Sequence, residues 1–584
     1  MRSKFLINHV GYMPNASKRL VYTGEADSFT VCRFQDLIFT PVLEAPLQAD
    51  ASHEWFQAKV GDFSAVTEPG IYRISTSEGN SRCFIINENV YDTAARVMTG
   101  FFTWQRCSDK KGWNGVCHTD DSIQLENGEK RDLTGGHHQS SDLRKWIWGT
   151  SMGMAGYMKW ALLEKPEWDD GIVEEEIWHA AKYYLSLITD EGWLIDCVWV
   201  PESYDGSGHG TGYGNYVQSW ENRRYYASPA PEPGHWWVIQ SLALAARRLS
   251  DPEKSARCLE GAKHVFKYMC SLHNGHAVYT LPELPPLGHD GMHKFFGGFY
   301  EDSAQQLACK ANAAMELWQT EPLDEYREIA KQALRKLSGM RITGEDNDAA
   351  GSYWEGSRRK CLSDNNFYFH NTSVPMSFVN ALELWKDDPD AEIWMENAKE
   401  IAARHERMSR RNPFGRIPAT WFAEGHNAFA EPGCFSFSEE NKNESRKDYI
   451  AGFADDGAEK LPVHYAYYGE CYNLNLISGA VFLAKLHKFT GEPRYKALMQ
   501  RQLDWIMGAN MYDASSIEAV GYNQPHRGIF GEFFPPVPQI PGAICTGLAD
   551  DSFTEVAFGF DCEYDMPMVG WGLYLLACIR NMEG

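Results

Sequence analysis

The chain has 584 residues, a mass of 66.3 kDa and a formal net charge of −24 at pH 7. This length exceeds the usual size of one hydrophobic core, so we expect two domains, one of them large. The negative charge argues against nucleic acid as a partner. No run reaches the roughly 18 apolar residues of a membrane span, which argues against a membrane role.

The N-terminus begins with basic residues but holds only three successive apolar ones, Phe5, Leu6 and Ile7. Because a secretory signal needs a longer apolar stretch, we expect a cytoplasmic protein. The 14 cysteines are too dispersed for a disulfide scaffold, which favours reduced thiols.

Short alternating runs separated by Gly, Pro, Asn and Asp turns fill the chain up to about Val90. Examples are residues 19–22, 29–34, 70–74 and 83–86. Several short strands within so few residues predict an antiparallel β-sandwich.

A 3.6-residue period begins at Tyr91 and continues through most of the remaining chain. Five acidic or polar linkers that contain proline each join two amphipathic segments into a helical pair. Each proline is predicted to begin the second helix of its pair. The linkers are Glu164-Lys165-Pro166, Ser250-Asp251-Pro252, Thr320-Glu321-Pro322, Asp387-Asp388-Pro389 and Gly491-Glu492-Pro493.

With a first helix at 91–106 and a last one at about 554–581, this pattern gives about twelve helices. Six helical hairpins can close into an (α/α)6 barrel, and an open solenoid of helix pairs is the alternative. Long connections at 190–232, 281–300 and 409–468 are predicted to build the rim of a site.

Four segments in order then resemble glycoside hydrolase family 9 in its form with an N-terminal immunoglobulin-like domain. They are Asn8-His9-Val10-Gly11-Tyr12 followed by Pro14-Asn15, Phe101-Phe102-Thr103-Trp104-Gln105-Arg106-Cys107, Asp132-Leu133-Thr134-Gly135-Gly136, and Thr554-Glu555-Val556-Ala557. The resemblance implies a sandwich over residues 1–90 and a catalytic barrel over residues 91–584.

The resemblance also implies an inverting hydrolase with two carboxyl groups roughly 6.5–9.5 Å apart. Glu555 matches the general acid, and its structural alternative is a helix N-terminal glutamate that complements the dipole. Asp142 matches the second aspartate of the family's base motif. Gln139 stands where the first aspartate is expected, and its amide orients water but cannot accept a proton. We therefore expect Gln139→Asp to raise the rate.

For substrate binding, His526 and Arg527 match the family's sugar-contact motif, although a buried pair that anchors the loop is the alternative. Trp354, Trp220, Tyr225 and Tyr226 lie in predicted loops. They are candidate sugar-stacking platforms, with ordinary packing as the alternative.

A cysteine and histidine cluster is the candidate metal site. Cys107, Cys117, His118 and His138 match the positions of a structural zinc in family members with this domain arrangement, and two thiolates with two imidazoles suit tetrahedral Zn²⁺. His137 is the alternative ligand to His138. The sequence leaves calcium binding open.

The resemblance to a cytoplasmic bacterial branch implies exo-acting hydrolysis of β-1,4-linked glucosamine oligosaccharides, and an acidic protein would attract this cationic substrate. A β-glucosidase acting on cello-oligosaccharides is the alternative. A sugar-binding protein that lost turnover at Gln139 and a polysaccharide lyase are the competing classes. We expect a soluble oligosaccharide as partner and a monomer or homodimer.

Overall fold

The computed structural model describes most of the chain, in sixteen segments. They are residues 3–52, 56–119, 121–124, 130–140, 145–199, 226–229, 232–272, 304–344, 349–354, 370–417, 420–423, 453–455, 463–466, 472–525, 539–548 and 564–583.

The first part of the chain forms two facing sheets. Its strands are β1 (Phe5–Leu6), β2 (Gly11–Tyr12), β3 (Arg19–Tyr22), β4 (Ser28–Gln35), β5 (Ile38–Pro46), β6 (Gln48–Asp50), β7 (Ala58–Asp62), β8 (Gly70–Thr76), β9 (Gly79–Asn80) and β10 (Phe84–Ile86). One sheet has the order β1-β3-β7-β6, and the other has the order β2-β10-β8-β4-β5 with β9 paired to β8. All these pairs are antiparallel except β2 with β10.

Aromatic side chains fill the space between the two sheets. The ring of Tyr12 meets Phe63 and Phe84 edge to face, with centroids 5.4 and 5.8 Å apart, and Phe29 meets Phe63 at 6.5 Å. All four side chains are buried. Edge-to-face contact is the favoured arrangement for such rings, so the alternation seen in the sequence builds a sandwich core.

Twelve helices follow within the described residues. They are α1 (Asp92–Trp104), α2 (Ile147–Leu163), α3 (Ile172–Ser186), α4 (Glu232–Arg248), α5 (Pro252–Ser271), α6 (Ala304–Thr320), α7 (Asp324–Ser338), α8 (His370–Leu384), α9 (Ala391–Ser409), α10 (Tyr472–Thr490), α11 (Pro493–Ile506) and α12 (Met566–Glu583). Short strands lie in their connections: β11 (Ser122–Gln124), β12 (Lys130–Asp132), β13 (Ile195–Trp199), β14 (Tyr226–Pro229), β15 (Thr420–Ala423), β16 (Phe453–Asp455) and β17 (Val463–Ala466).

The even-numbered helices pack in a closed ring. Each contacts the next, and α12 returns to α2. The backbones of these two helices approach so closely that a Cβ on Gly570 would lie 1.9 Å from the carbonyl oxygen of Gly153. The odd-numbered helices pack outside, chiefly against their partners in sequence. Long connections precede every even-numbered helix, so the N-termini of the ring helices meet at one end.

The helix boundaries differ from the sequence prediction at several junctions. Pro252 and Pro493 begin α5 and α11 as expected, and the Asp251 side chain caps α5 by accepting from the backbone N–H groups of Glu253 and Lys254. Pro166, Pro322 and Pro389 instead lie before their helices, which begin at Ile172, Asp324 and Ala391. These three prolines therefore belong to the linker turns.

The last described helix is also shorter than predicted, since α12 begins at Met566. Its predicted start near residue 554 lies outside the described residues. None of the described helices is both long enough and apolar enough to cross a membrane.

Candidate active site

The loop that precedes α2 is held tightly between α1 and α3. Its Gly135 and Gly136 have φ values of +89° and +74°, a region that glycine adopts without strain. The Gly136 carbonyl accepts hydrogen bonds from the Cys107 backbone N–H at 2.8 Å and from His179 Nε2 at 2.9 Å. Gln105 Nε2 donates to the carbonyls of His138 and Ser140, both at 3.2 Å. The backbone of residues 135–140 is therefore fixed by neighbouring side chains.

A buried ion-pair network supports the same loop. Glu176 of α3 lies 2.6 Å from His137 Nε2 and receives two hydrogen bonds of 3.0 Å from the guanidinium of Arg106. Burial alone would raise the pKa of Glu176, but the His137 hydrogen bond and the Arg106 charge outweigh it and lower the pKa to about 2. His137 is thus engaged with a carboxylate.

The four predicted metal ligands come together in one buried cluster. The donor atoms of Cys107, Cys117, His118 and His138 all lie within 4.8 Å of one another. The two Sγ atoms are 4.0 Å apart, and Cys117 Sγ lies 3.3 Å from His138 Nε2. His138, and not the alternative His137, belongs to this group.

The cluster fits a tetrahedral cation. Two thiolates at 2.3 Å from a tetrahedral zinc would lie about 3.8 Å apart, close to the observed sulfur separation. Neither ring nitrogen of His118 has a hydrogen-bond partner among the described residues, although the residue is only 3% exposed. A buried polar atom without a partner costs roughly 1–3 kcal/mol, and a metal bond would remove that cost for one nitrogen. The residues therefore could hold a metal ion in a closed shell.

A lysine–carboxylate pair lies beside this cluster. Lys145 Nζ is 2.6 Å from Asp121 and donates to the carbonyls of Leu133 and Gly135 at 3.0 and 3.2 Å. Burial alone would lower the pKa of Lys145, but the Asp121 carboxylate raises it well above the usual value. Lys145 is therefore a fixed cation that joins the two ends of the loop.

Gln139 connects the loop to the segment before α12. Its Nε2 donates to Asp565 Oδ2 at 3.1 Å, and its backbone carbonyl accepts from the Met566 N–H at 3.0 Å. Ser140 and Asp565 form an antiparallel bridge. Gln139 and Asp565 are 4% and 3% exposed. Their contact is polar and buried. It links the segments that precede α2 and α12, the two helices at which the ring closes.

Packing against α2 restricts the Gln139 side chain. A Cβ on Gly149 would lie 2.2 Å from Gln139 Cδ, so only glycine leaves room for the amide there. Gln139 Oε1 is buried and has no hydrogen-bond partner among the described residues. The Gln139 oxygen is therefore a buried acceptor that no described residue uses.

The other predicted site residues are less fully described. Trp354 is partly exposed, its backbone N–H donates to the Met340 carbonyl at 3.0 Å, and no described contact links it to Gln139. Tyr226 lies in β14, but its side chain is outside the described part. The remaining candidates all fall outside the described residues: Asp142, Trp220, Tyr225, His526, Arg527 and Glu555.

Sequence reasoning missed Asp565 and Glu176. Asp565 precedes Met566-Pro567 and an apolar helical run, a pattern typical of a helix start, which could have drawn attention to it. Glu176 lies among three successive glutamates of α3, where its burial cannot be read from the local pattern.

Comparison with known families gives two matches in chain order. The profile described as "Cellulase N-terminal ig-like domain" matches residues 2–81, and that of "Glycosyl hydrolase family 9" matches residues 91–528. Together they cover most of the chain.

Two curated relatives are similar over part of their length. Endoglucanase D of Acetivibrio thermocellus is 24% identical over 301 residues, which cover 46% of this chain and 45% of that protein. Cellodextrinase of Butyrivibrio fibrisolvens is 29% identical over 161 residues, which cover 26% of this chain and 29% of that protein. The matched part thus spans less than half of each relative.

Solved structures share the fold over nearly the whole chain. A family 9 protein of Bacteroides ovatus superposes with a TM-score of 0.67 at 15% identity, covering 99% of this chain and 98% of that one. A zinc-binding triple mutant of a family 9 endoglucanase superposes with a TM-score of 0.63 at 14% identity, covering 97% and 99%. At these identities the likeness establishes the fold alone.

Proposed function

Because this chain belongs to glycosyl hydrolase family 9, with an Ig-like domain before the family's catalytic part, we propose that it hydrolyses β-linked glycosides with inversion. Glu555 gives its proton to the leaving oxygen. Asp142 takes a proton from a water molecule, whose oxygen attacks the anomeric carbon from the opposite face. Gln139 holds that water by accepting its second O–H.

The contact between Gln139 and Asp565 carries this proposal. Asp142 follows Gln139 by three residues, and Glu555 precedes Asp565 by ten. A hydrogen bond of 3.1 Å between Gln139 and Asp565 joins the two segments that hold the proposed base and acid. This supports one site built from both ends of the catalytic part.

For the architecture, we propose that the ring of even-numbered helices is the inner layer of an (α/α)6 barrel. The twelve described helices and the return of α12 to α2 support this assignment. We also keep the division into residues 1–90 and 91–584 as a proposal, supported by the change from strands to helices between β10 and α1.

We propose zinc as the ion of the Cys107, Cys117, His118 and His138 cluster. The thiolate and imidazole donors and the sulfur separation of 4.0 Å support it, and zinc prefers this ligand set. With four protein ligands, no position is left for a reacting water. The ion would therefore brace the loop that ends in Gln139.

As substrate we propose β-1,4-linked glucosamine oligosaccharides, cleaved from the non-reducing end. The net charge of −24 favours a cationic sugar chain over a neutral one. His526 and Arg527 would bond hydroxyl groups of the cleaved sugar, and Trp354, Trp220, Tyr225 and Tyr226 are the proposed stacking platforms. Cello-oligosaccharides are the second candidate, since one relative is named a cellodextrinase.

The stereochemical test uses proton NMR of freshly formed product from a glucosamine dimer without acetyl groups. We expect the α-anomer to form first, because water attacks opposite Glu555. A first-formed β-anomer would rule out the assignment of Asp142 and Glu555 as an inverting pair.

The substrate test compares kcat/KM for the glucosamine dimer and cellobiose at low and high ionic strength. Charge steering predicts higher kcat/KM for the glucosamine dimer and a decline with salt for that sugar only. Preference for cellobiose at every salt concentration would favour the second candidate. Binding of either dimer without turnover would favour the sugar-binding alternative.

A further inference from the structure

Asp565 accepts a buried hydrogen bond from Gln139, and this bond decides how the amide is turned. An ionised carboxylate can only accept hydrogen bonds. Gln139 Nε2 donates to Asp565 Oδ2 at 3.1 Å, because an amide nitrogen can donate but not accept. The opposite end of the amide, Oε1, is then the acceptor that no described residue uses.

We propose that Asp565 is a positioning residue for hydrolysis, which fixes the amide of Gln139 so that its oxygen receives an O–H of the reacting water. This inference rests on the proposed function. No proton moves to Gln139 or Asp565 in the reaction. The water gives one proton to the base, and its oxygen bonds to the anomeric carbon as the glycosidic C–O bond breaks and the leaving oxygen takes the proton of the acid.

The backbone supports such precise placement. The Met566 N–H donates to the Gln139 carbonyl at 3.0 Å, and Ser140 bridges to Asp565, so the two segments are held in register. Gly149 leaves no free volume behind the amide. If the Gln139 amide turned over, its NH₂ group would lie buried without a hydrogen-bond partner. The hydrogen bond to Asp565 avoids that free-energy cost.

The hydrogen bond between Gln139 and Asp565 also changes the effect on the rate that we expect of Gln139→Asp. In that variant two carboxylates would face each other in a buried contact that now holds one donor and one acceptor. Like charges at such a distance repel, so the single variant should not gain the full benefit of a second carboxylate. The reciprocal exchange, Gln139→Asp with Asp565→Asn, restores a donor and an acceptor with the polarity reversed.

The test is a double-mutant cycle on the starting chain, Gln139→Asp, Asp565→Asn and the double variant. kcat and KM are measured on the glucosamine dimer without acetyl groups, with Tm as a check of folding. An asparagine at 565 can present either its oxygen or its NH₂ group to Gln139. We therefore expect Asp565→Asn to lower kcat about tenfold at nearly constant KM.

We expect Gln139→Asp alone to leave kcat no higher than that of the starting chain, because its carboxylate faces Asp565. The double variant should nevertheless recover at least the kcat of the starting chain, so that the two changes are strongly non-additive. If a single variant fails to fold, recovery of both Tm and kcat in the double variant still supports the pairing. Additive effects on kcat, or a change in Tm and KM with constant kcat, would overturn the inference while the proposed function stands.

The two proposals fail in different ways. Absence of turnover of both the glucosamine dimer and cellobiose by all four proteins would overturn the proposed function and this inference together. Turnover by the double variant alone would assign the starting chain to the sugar-binding class and would overturn the positioning role of Asp565 in its hydrolysis.

Discussion

Three successive residues of the loop before α2 bind three different partners. His137 lies 2.6 Å from Glu176, His138 Nε2 lies 3.3 Å from Cys117 Sγ, and Gln139 donates to Asp565. The bridges at His137 and Ser140 show strand-like backbone, in which neighbouring side chains point to opposite sides. Two adjacent histidines therefore do not serve one metal, and only His138 joins the cysteines.

At the residue scale, Glu555→Gln tests the proton donor. The variant keeps the shape of the side chain but cannot supply the proton, so kcat should fall by about 10²–10⁴-fold while sugar binding and Tm change little. Steady-state kinetics, calorimetric titration with glucosamine and thermal unfolding measure these quantities.

A matched control for this variant is Glu260→Gln, on the exposed surface of α5. It should leave kcat unchanged. Retention of most activity by Glu555→Gln would move the acid to another residue.

At the scale of elements, the loop of residues 133–140 depends on its neighbours for order. Its backbone groups bond to residues that follow α1, to His179 of α3, to Lys145 and to Met566 of α12. A metal ion bound to Cys107, Cys117, His118 and His138 would tie this loop through His138 to the segment that follows α1. Removing the ion should therefore loosen the segment that presents Gln139.

We expect about one zinc ion per chain and its loss in Cys107→Ser or His138→Ala, with a lower Tm and a lower kcat. Elemental analysis of protein purified without chelator, together with thermal unfolding, measures the effect. Cys83→Ser removes an exposed thiol and is the matched control, for which metal content and Tm should stay constant. A starting chain that contains no zinc would contradict the assignment.

At the scale of the whole molecule, the sandwich is joined to the helical part through buried polar contacts. The His9 N–H donates to the Met507 carbonyl at 2.9 Å, and the His9 ring lies 3.1 Å from Asp513. Asn8 Nδ2 donates to Asp504 of α11 at 3.0 Å. Because Asn8, His9, Asp504 and Asp513 are all buried, this interface contributes to the stability of the sandwich and of the helical part.

Asp504 should make that stability depend on pH. Burial raises the pKa of its carboxyl to about 7, although hydrogen bonds from Asn8 and Gln500 partly oppose the shift. The folded chain then keeps a proton that the unfolded chain loses near pH 4. The stabilising effect of this proton is full below about pH 4 and is lost as the pH rises through about 7.

We therefore expect Asp504→Asn to gain stability over the starting chain as the pH rises, by about 1.4 kcal/mol per pH unit between pH 5 and 7. Asparagine keeps the acceptor for Asn8 and Gln500 without the buried charge. Urea unfolding at several pH values measures the difference. The exposed Asp387→Asn is the control, and a difference independent of pH in Asp504→Asn would contradict the role of this carboxyl.

Local sequence patterns determined the element types and much of the order. Alternation such as that of residues 29–34 predicted strands, the 3.6-residue period predicted helices, and Pro252 and Pro493 marked two helix starts. The motifs around Gly11, Gln105 and Gly136 indicate the family, and the resemblance predicts the four ligand positions that the structure brings together. These predictions succeed because burial on one face and backbone preference depend on residues that are near neighbours in the chain.

Only the tertiary structure decided which distant groups meet. Gln139 and Asp565 are separated by 426 positions, and neither has a local feature that requires the other. The choice of His138 over His137 depended on where Glu176 of α3 and Cys117 lie around the loop. Such pairings are set by how helices close into a ring and how buried polar groups find partners, which a local pattern does not specify.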